Sequence, residues 1–515
     1  MAETGARKAI ITITVILASL LEVIDTTVLN VSLPQIMGNI GATLEEVAWL
    51  ITSYAVANVI ILPMAGWLAA KFGRRNYFAF SILLFTAASF ACGNSTNIWE
   101  LVVFRFIQGI GGGALLSLSQ AILFETYKPE ERGMATALFG LGVVIGPTLG
   151  PTLGGYITDN FSWPWIFYIN IPLGILATVL TLTFIKESHH RRKVDRVDWL
   201  GIFLLVVGIA SLQIVLERGQ SEDWFDTNYI IVLAVVSALG IVAFIWRELV
   251  AEHPIVNLRI LKDRSLAIGM VFTFILGFGM YASVFVFPIF CQNLLGFTAQ
   301  QTGELMIPSG IITILVMPFV GMMLKKGFPP QIMSAFGFVM FFVFTSMLSH
   351  ANLESGEVNF YIPLLFRGIG LGFLFVPLTT MALANVSPHD MPQGTGLNNM
   401  MRQLGGSFGI AIMTTFIAKR LAYHRINLLD HTNVYNTPFT DRHNAFTGGF
   451  LSRGISADDA HQMANRAMEG IIYKQSTLLT YTEAFYIVGV FFLFCVPLLI
   501  FTGRVKKGKV VAESH

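Results

Sequence analysis

Apolar residues run along the chain in blocks of roughly 20, divided by short polar or basic connections, and about 20 mostly apolar residues are what a helix needs to cross the hydrocarbon core of a bilayer. Fourteen blocks qualify: 10–33, 47–70, 77–96, 98–121, 133–157, 164–185, 198–217, 228–249, 265–291, 299–324, 330–349, 358–384, 395–418 and 478–503. The pattern predicts an all-α polytopic membrane protein. The first block is too long for the apolar centre of a signal peptide, carries acids and ends at Pro34, so it reads as a retained first span.

Charge orients the spans, because short loops rich in Lys and Arg stay cytoplasmic. With the N-terminus inside, the cytoplasmic connections hold 22 of the 33 basic residues and the short outer loops only Arg218. The long outer segment from Lys419 to Lys474 holds 7, and Arg105, Arg367 and Arg402 lie inside spans. Both termini are therefore expected in the cytoplasm. Composition agrees with a membrane protein: 54% of residues are hydrophobic and 12% charged, about half the charge of a soluble domain. A net charge of +2, with neither a basic patch nor a nucleic-acid motif, argues against nucleic acid as a partner. Cys92, Cys291 and Cys495 sit in apolar segments without metal-ligand spacing and read as packing residues.

An internal repeat organises the spans. ILPMAGWLAAKFG from Ile61 and VMPFVGMMLKKGF from Val316 each place Pro three residues before Gly, and FRFIQGIGGG from Phe104 matches FRGIGLGFLF from Phe366. These pairs map the first six spans onto the last six. The expected organisation is a six-helix bundle over 1–190, a two-helix insertion over 191–262, and a second six-helix bundle over 263–515 that carries a long outer loop at 419–475. Parallel repeats of six spans build one large transporter fold, with its ligand site between the halves near the bilayer midplane.

Within this frame the ionisable residues at membrane depth are candidates for function, because each costs at least about 2.5 kcal/mol to insert. Glu22 and Asp25, in LEVIDTTVLN, are three residues apart and share a helix face. Asp25 lies about 12 Å from the outer end of the first span and Arg105 about 10 Å from the outer end of the fourth, so their depths match. Burial holds a proton on a carboxyl and a nearby Arg expels it, so movement of the Arg or of water would switch its protonation. One proton crossing 100 mV supplies about 2.3 kcal/mol, enough for a concentration ratio of roughly 50-fold. Glu304 lies near the outer end of its span, at the wet interface or within reach of a cationic substrate. Arg367 takes the repeat position of Arg105 without an acid at the repeat position of Asp25, near Gly279. In GVVIGPTLGPTLGG, Gly142, Gly146, Gly150 and Gly154 recur every fourth residue, interleaved with Pro147 and Pro151, the spacing of a close helix contact, a hinge or a seal. HHRRK at 189–193 reads as a solvated anchor.

Taken together, these motifs resemble the major facilitator superfamily, and within it the 14-span EmrB/QacA drug:proton antiporter branch. LEVIDTTVLNVSLP at 21–34 is similar to that branch's first-span signature, GWLAAKFGRR at 66–75 (Gly66, Gly73, Arg74) to its loop motif, and RFIQG at 105–109 (Arg105, Gln108) to its fourth-span motif. GVVIGPTLGPTLGG is similar to the antiporter motif, and WPWIFYINIPLG at 163–174 and LERG with DWF at 216–225 also look like this branch. The resemblance implies proton coupling through Asp25 and Arg105; the depth of Glu22 makes it a second acid or a contact for a substrate cation. The resemblance also suggests lipophilic, often cationic, drug-like substrates, for which Glu22, Asp25, Gln108, Glu304 and Arg367 are the candidate contacts. The proton gradient would be the energy source, with no cofactor. In a Gram-negative host it further implies a periplasmic adaptor on segment 419–475 and an outer-membrane channel. The chain departs from the loop motif at Ala70, where an acid is common, which puts a charge lock there in doubt.

Three other readings compete. An exporter of an endogenous solute such as a siderophore, lipid or amino acid would use the same machinery. A respiratory proton-pumping subunit would carry lysines in its spans, but every Lys here lies outside them. A membrane enzyme would need a nucleophile with its base, or a metal cluster, and no span offers either.

Overall fold

The computed structural model describes residues 5–187, 197–433 and 435–501, so HHRRK lies outside the described residues. The first half is built from α1 (Gly5–Ile40), α2 (Leu44–Phe72), α3 (Arg74–Gly93), α4 (Ile98–Thr126), α5 (Arg132–Asn160), the single-turn α6 (Trp165–Tyr168) and α7 (Asn170–Phe184). A hairpin follows, α8 (Trp199–Arg218) and α9 (Asn228–Val250). The second half contains α10 (Arg264–Ile289), α11 (Ala299–Lys325), α12 (Pro330–Leu348), α13 (Val358–Ala382), α14 (Met391–Leu429), α15 (Thr437–Leu451) and α16 (Ala457–Leu498). No strand occurs among the described residues. A bilayer offers backbone groups no water, so helices that satisfy their own hydrogen bonds are the expected solution.

The starts of several helices are written locally. Thr43 and Glu46 close a capping box on α2, and Thr298 and Gln301 close one on α11. Asn97, Asp198, Asp263 and Ser456 each accept an amide in the first turn of the helix they precede. Burial in the membrane-spanning set follows helix contact rather than polarity, since the outer faces are apolar too: Leu239, Val242 and Trp246 of α9 are all largely exposed.

Twelve described helices are long and apolar enough to cross a membrane. The other two predicted spans, at 133–157 and 395–418, are helical as α5 and α14, but are rich in Gly, Pro, Thr and amides and run between other helices. Two expectations change. The stretch at 164–185 is divided between α6 and α7 at Ile169. The segment at 419–475, expected as an outer loop, is helical over much of its length: α14 and α16 span 39 and 42 residues. Each is about 60 Å long, twice the roughly 30 Å hydrocarbon core. Both therefore project beyond it, tied by Arg425 to Glu469 (2.6 Å), with α15 packed on α16.

The repeat is visible in the packing. In the first half α1 packs on α5 and α4, α2 on α4, and α3 on α4 and α7; in the second half α10 packs on α14 and α13, α11 on α13, and α12 on α13 and α16. The halves meet through α2–α14 with α5–α11, and through α4–α14 with α5–α13, each couple related by the repeat. Cross-half hydrogen bonds lie toward the face where α1 begins: Thr395 to the Ser117 carbonyl (3.0 Å), Thr380 with Thr136 (3.2 Å), Asn399 to Gln120 (3.2 Å) and Lys325 to Glu131 (3.4 Å). That is the face rich in Lys and Arg. At the opposite end the α8–α9 hairpin bridges the halves, with Arg218 donating to the Glu45 carbonyl (3.1 Å), Gln213 to Ser407 (2.8 Å) and the Trp224 indole to Thr415 (2.9 Å).

Candidate functional site

Asp25 and Arg105 form the centre that their depths suggested. The Arg105 Nη1 donates to Asp25 Oδ2 at 2.5 Å, and both side chains are 1% exposed. Helix α4 delivers Arg105 and, one turn on, Gln108; Gly109 lets this turn lie against Tyr54 of α2, since a Cβ there would sit 2.6 Å from the Tyr54 carbonyl. Gln108 Nε2 donates to Asp25 Oδ1 (2.8 Å) and Ser89 (2.6 Å), while its Oε1 accepts from Arg105 Nη1 (2.6 Å). Asn170, the first residue of α7, donates to the same Oδ1 at 2.9 Å. The Tyr54 ring lies 4.3 Å below the guanidinium. Asp25 thus accepts three donors from two other helices, all suited to an ionised carboxylate, which accepts and never donates. A proton arriving on Oδ1, which already accepts two donors, must displace one of them, and one arriving on Oδ2 removes the charge that Arg105 faces. The site can therefore turn proton binding into side-chain movement on α4 and α7.

Glu22 lies one turn deeper. Its Oε1 accepts from Asn58 Nδ2 at 2.7 Å, and its buried Oε2 has no hydrogen-bond partner among the described residues. Arg402 of α14 and Tyr281 of α10 interact with it electrostatically from the second half. Glu22 therefore faces the plane between the halves, whereas Asp25 turns into the first half.

Comparison with known proteins settles the family. Residues 15–410 match the Major Facilitator Superfamily model. The chain belongs to the Major Facilitator Superfamily. It is 35% identical over 468 residues to the multidrug export protein EmrB of Escherichia coli K12, covering 90% of this chain and 91% of that protein. It is 33% identical over 498 residues to the fatty acid resistance protein FarB of Neisseria gonorrhoeae, covering 96% of each. Among solved structures, the human organic anion transporter MFSD10 superposes with a TM-score of 0.59 at 14% identity, covering 95% of this chain and all of that one, which speaks to the fold alone. The protein is an EmrB-type superfamily transporter rather than an enzyme, and a multi-pass protein of the bacterial inner membrane.

Other candidate residues of this superfamily member fall elsewhere. Arg367 is buried on α13 and donates to Ser283 (3.2 Å) and Ser309 (3.1 Å), with no carboxylate hydrogen-bonded to it among the described residues. Glu304 is exposed near the start of α11 and accepts from Gln300 at 2.8 Å, an interfacial position outside the buried network. On α5, Gly146, Gly150 and Gly154 pack against Val23, Thr27 and Val28 of α1, with Gly142 against Ser19. The helix continues through Pro147 and Pro151 without interruption. This seam fixes the face of α1 that turns away from Glu22 and Asp25.

At the basic face, Gly66 packs against Gln393 of α14, where a Cβ would meet its backbone nitrogen at 2.8 Å. Gly73, between α2 and α3, has φ +87°, a conformation L side chains rarely adopt. The lock that Ala70 cannot make is supplied nearby: Arg74 pairs with Glu125 at the end of α4, and its amide donates to Glu187 after α7 (2.6 Å). Both contacts stay within the first half.

Glu131 makes the contact between halves, accepting from Lys8 of α1 (2.6 Å) and Lys325 of α11 (3.4 Å). The Lys8 hydrogen bond holds its carboxyl below the usual carboxylate range, so its contribution is present above that range and disappears only as pH falls through the depressed value. At neutral pH the bridge is complete. An exposed pair of this kind contributes at most about 1 kcal/mol, or roughly fivefold in population. Spin labels at Glu130 and Lys326 should therefore show a larger long-distance population in Glu131→Gln than in wild type. An unchanged distribution would show that the bridge does not hold the halves together.

The sequence reading did not assign roles to Tyr54, Asn58, Ser89, Asn170 or Arg402. Their common signal is a hydrogen-bonding side chain inside an apolar run, weak alone because buried Ser and Asn often serve only helix packing. The fold makes them informative by placing four of the five around two carboxylates, and Ser89 against the amides of Gln108 and Asn170.

Proposed function

We propose that this protein is a proton-coupled multidrug efflux antiporter that exports lipophilic, cationic compounds by alternating access. The observation that carries this reading is the buried Asp25 network, in which one carboxylate takes its donors from Arg105, Gln108 and Asn170. Asp25 is the coupling acid, Arg105 the group that moves against it, and Glu22 the second acid and contact for the substrate's cation. The basic face is cytoplasmic. Cross-half hydrogen bonds join the halves there, and protons would enter from the opposite face. Rocking about the plane between them would open the cytoplasmic side for substrate. Relatives named as multidrug export proteins support this substrate class. The projecting ends of α14 and α16, with α15, form the surface for a periplasmic adaptor where the host has an outer membrane.

A second reading, export of an endogenous lipid carboxylate, is favoured by one observation. Arg367 is a buried cation with no carboxylate hydrogen-bonded to it among the described residues, suited to a fatty acid headgroup, and one relative is named for fatty acid resistance.

Purified protein in sealed vesicles with an imposed pH gradient separates these readings. The expected result is uphill movement of tetraphenylphosphonium that stops when the gradient is collapsed. Gradient-driven movement of oleate without the cation would favour the second reading, and movement of either without a gradient would remove proton coupling.

A further inference from the structure

Arg402 is the buried guanidinium to which the cycle above gives no task. It lies in the middle of α14, is 1% exposed, sits 5.3 Å from the Phe375 ring centroid, and has no hydrogen-bond partner for Nη1 among the described residues. The α14 backbone at Arg402 lies so close to Gly277 of α10 that a Cβ there would sit 2.0 Å from the Arg402 carbonyl oxygen. Glu22 interacts with Arg402 electrostatically and likewise keeps one buried oxygen, Oε2, without a partner. Two buried groups of opposite charge, one from each half, thus each keep an open hydrogen-bonding position across the plane where substrate would enter.

We propose that Arg402 is the resident counter-ion of Glu22, filling electrostatically the place of the substrate's cation in the empty transporter. This rests on Glu22 being the cation contact. A lipophilic monocation that reaches Glu22 takes over the role of Arg402, and a proton on Glu22 releases Arg402 in the same way. Either event loosens an attraction that spans the two halves. Arg402 is then a positioning residue through which the second half senses the state of the first. The ionisable groups facing Glu22 are Asp25 on its own helix, Tyr54 of α2, Arg105 of α4 (bound to Asp25), Tyr281 of α10 and Arg402 of α14. Helix α7 has no ionisable residue, and α5 has none at this depth.

The test is tetraphenylphosphonium binding to the full-length protein in nanodiscs across a pH titration. In Arg402→Gln a competing positive charge is gone, so the cation should bind about tenfold more tightly at high pH, and the pH at which protons displace it should rise by about one unit. Arg402→Lys should stay near wild type. In a Glu22→Gln background, adding Arg402→Gln should change nothing further. Arg402→Met fills similar volume without charge and replaces the amide variant if that variant does not fold. Weaker binding at every pH with an unmoved midpoint, or the same change in the Glu22→Gln background, would overturn the assignment of Arg402 and leave Glu22 as the cation contact. Cation binding by wild type that Glu22→Gln does not reduce would overturn that contact, and the assignment with it.

Discussion

Asp25→Asn in sealed vesicles binds substrate but moves none of it against a pH gradient, and its exchange rate falls to that of empty vesicles. The argument is one of charge and of donors. Asn carries no titratable proton, so one full cycle with this variant leaves the gradient untouched. The amide also places an NH2 where Gln108 and Asn170 donate to Oδ1, or where Arg105 donates to Oδ2, so at least one donor loses its acceptor. Arg105 remains buried without its counter-charge, a change that costs about 3–5 kcal/mol when one partner of a buried pair is removed. The variant should therefore melt at a lower temperature in detergent. Asp25→Asn with Arg105→Gln should recover much of that stability without recovering exchange. This second result separates coupling from folding, because a purely structural pair would regain function along with stability. Full gradient-driven exchange by Asp25→Asn would transfer the coupling role to Glu22.

Gly405→Leu prevents stable folding. Helix α14 carries Gly405 and Gly409 against α10, where a Cβ on Gly405 would sit 2.1 Å from the Phe274 carbonyl oxygen and one on Gly409 2.7 Å from that of Phe278. The obstacle is backbone, which cannot rotate away as a side chain would, so even Gly405→Ala has to push the helices apart. Overpacking costs about 1–3 kcal/mol, occasionally more, and the same displacement would move Arg402, one turn away. Gly405→Ala should lower the melting temperature clearly and Gly405→Leu should abolish the folded peak in size-exclusion chromatography. Gly448→Ala on α15, where nothing lies within 4 Å of a Cβ, is the matched control and should melt with wild type. A folded, active Gly405→Leu would mean that the α10–α14 seam is looser than the structure depicts.

Much of the site can be read from the chain because insertion into lipid makes charge expensive. Glu22, Asp25, Arg105 and Arg367 stand out against long apolar runs, and helix geometry alone puts Asp25 and Arg105 at one depth. The repeat likewise shows that Arg367 lacks the acid available to Arg105, and in the structure it donates to two serines instead. Glu304 was harder to place, since a carboxyl near the end of a span faces water as readily as a cavity, and only its exposed side chain beside Gln300 decides for the interface. The segment at 419–475 is hard to read from sequence for a related reason. Polar residues suggest a loop in a membrane protein, yet Ser456 caps a helix whose first 21 residues lie before the predicted span and pack on neighbouring helical segments rather than in lipid.

The order of apolar blocks, the buried charges, the Gly spacing and the duplication were determined by the sequence itself, because each is a periodicity or a cost that acts locally along one helix. Which charge meets which was decided only in three dimensions. Asn170 reaches Asp25 across 145 positions of chain, and Arg402 comes to face Glu22 from the other half. Helix periodicity carries no information about how two helices rotate against each other. That rotation is set by where glycines let backbones touch, as at Gly109, Gly146 and Gly277.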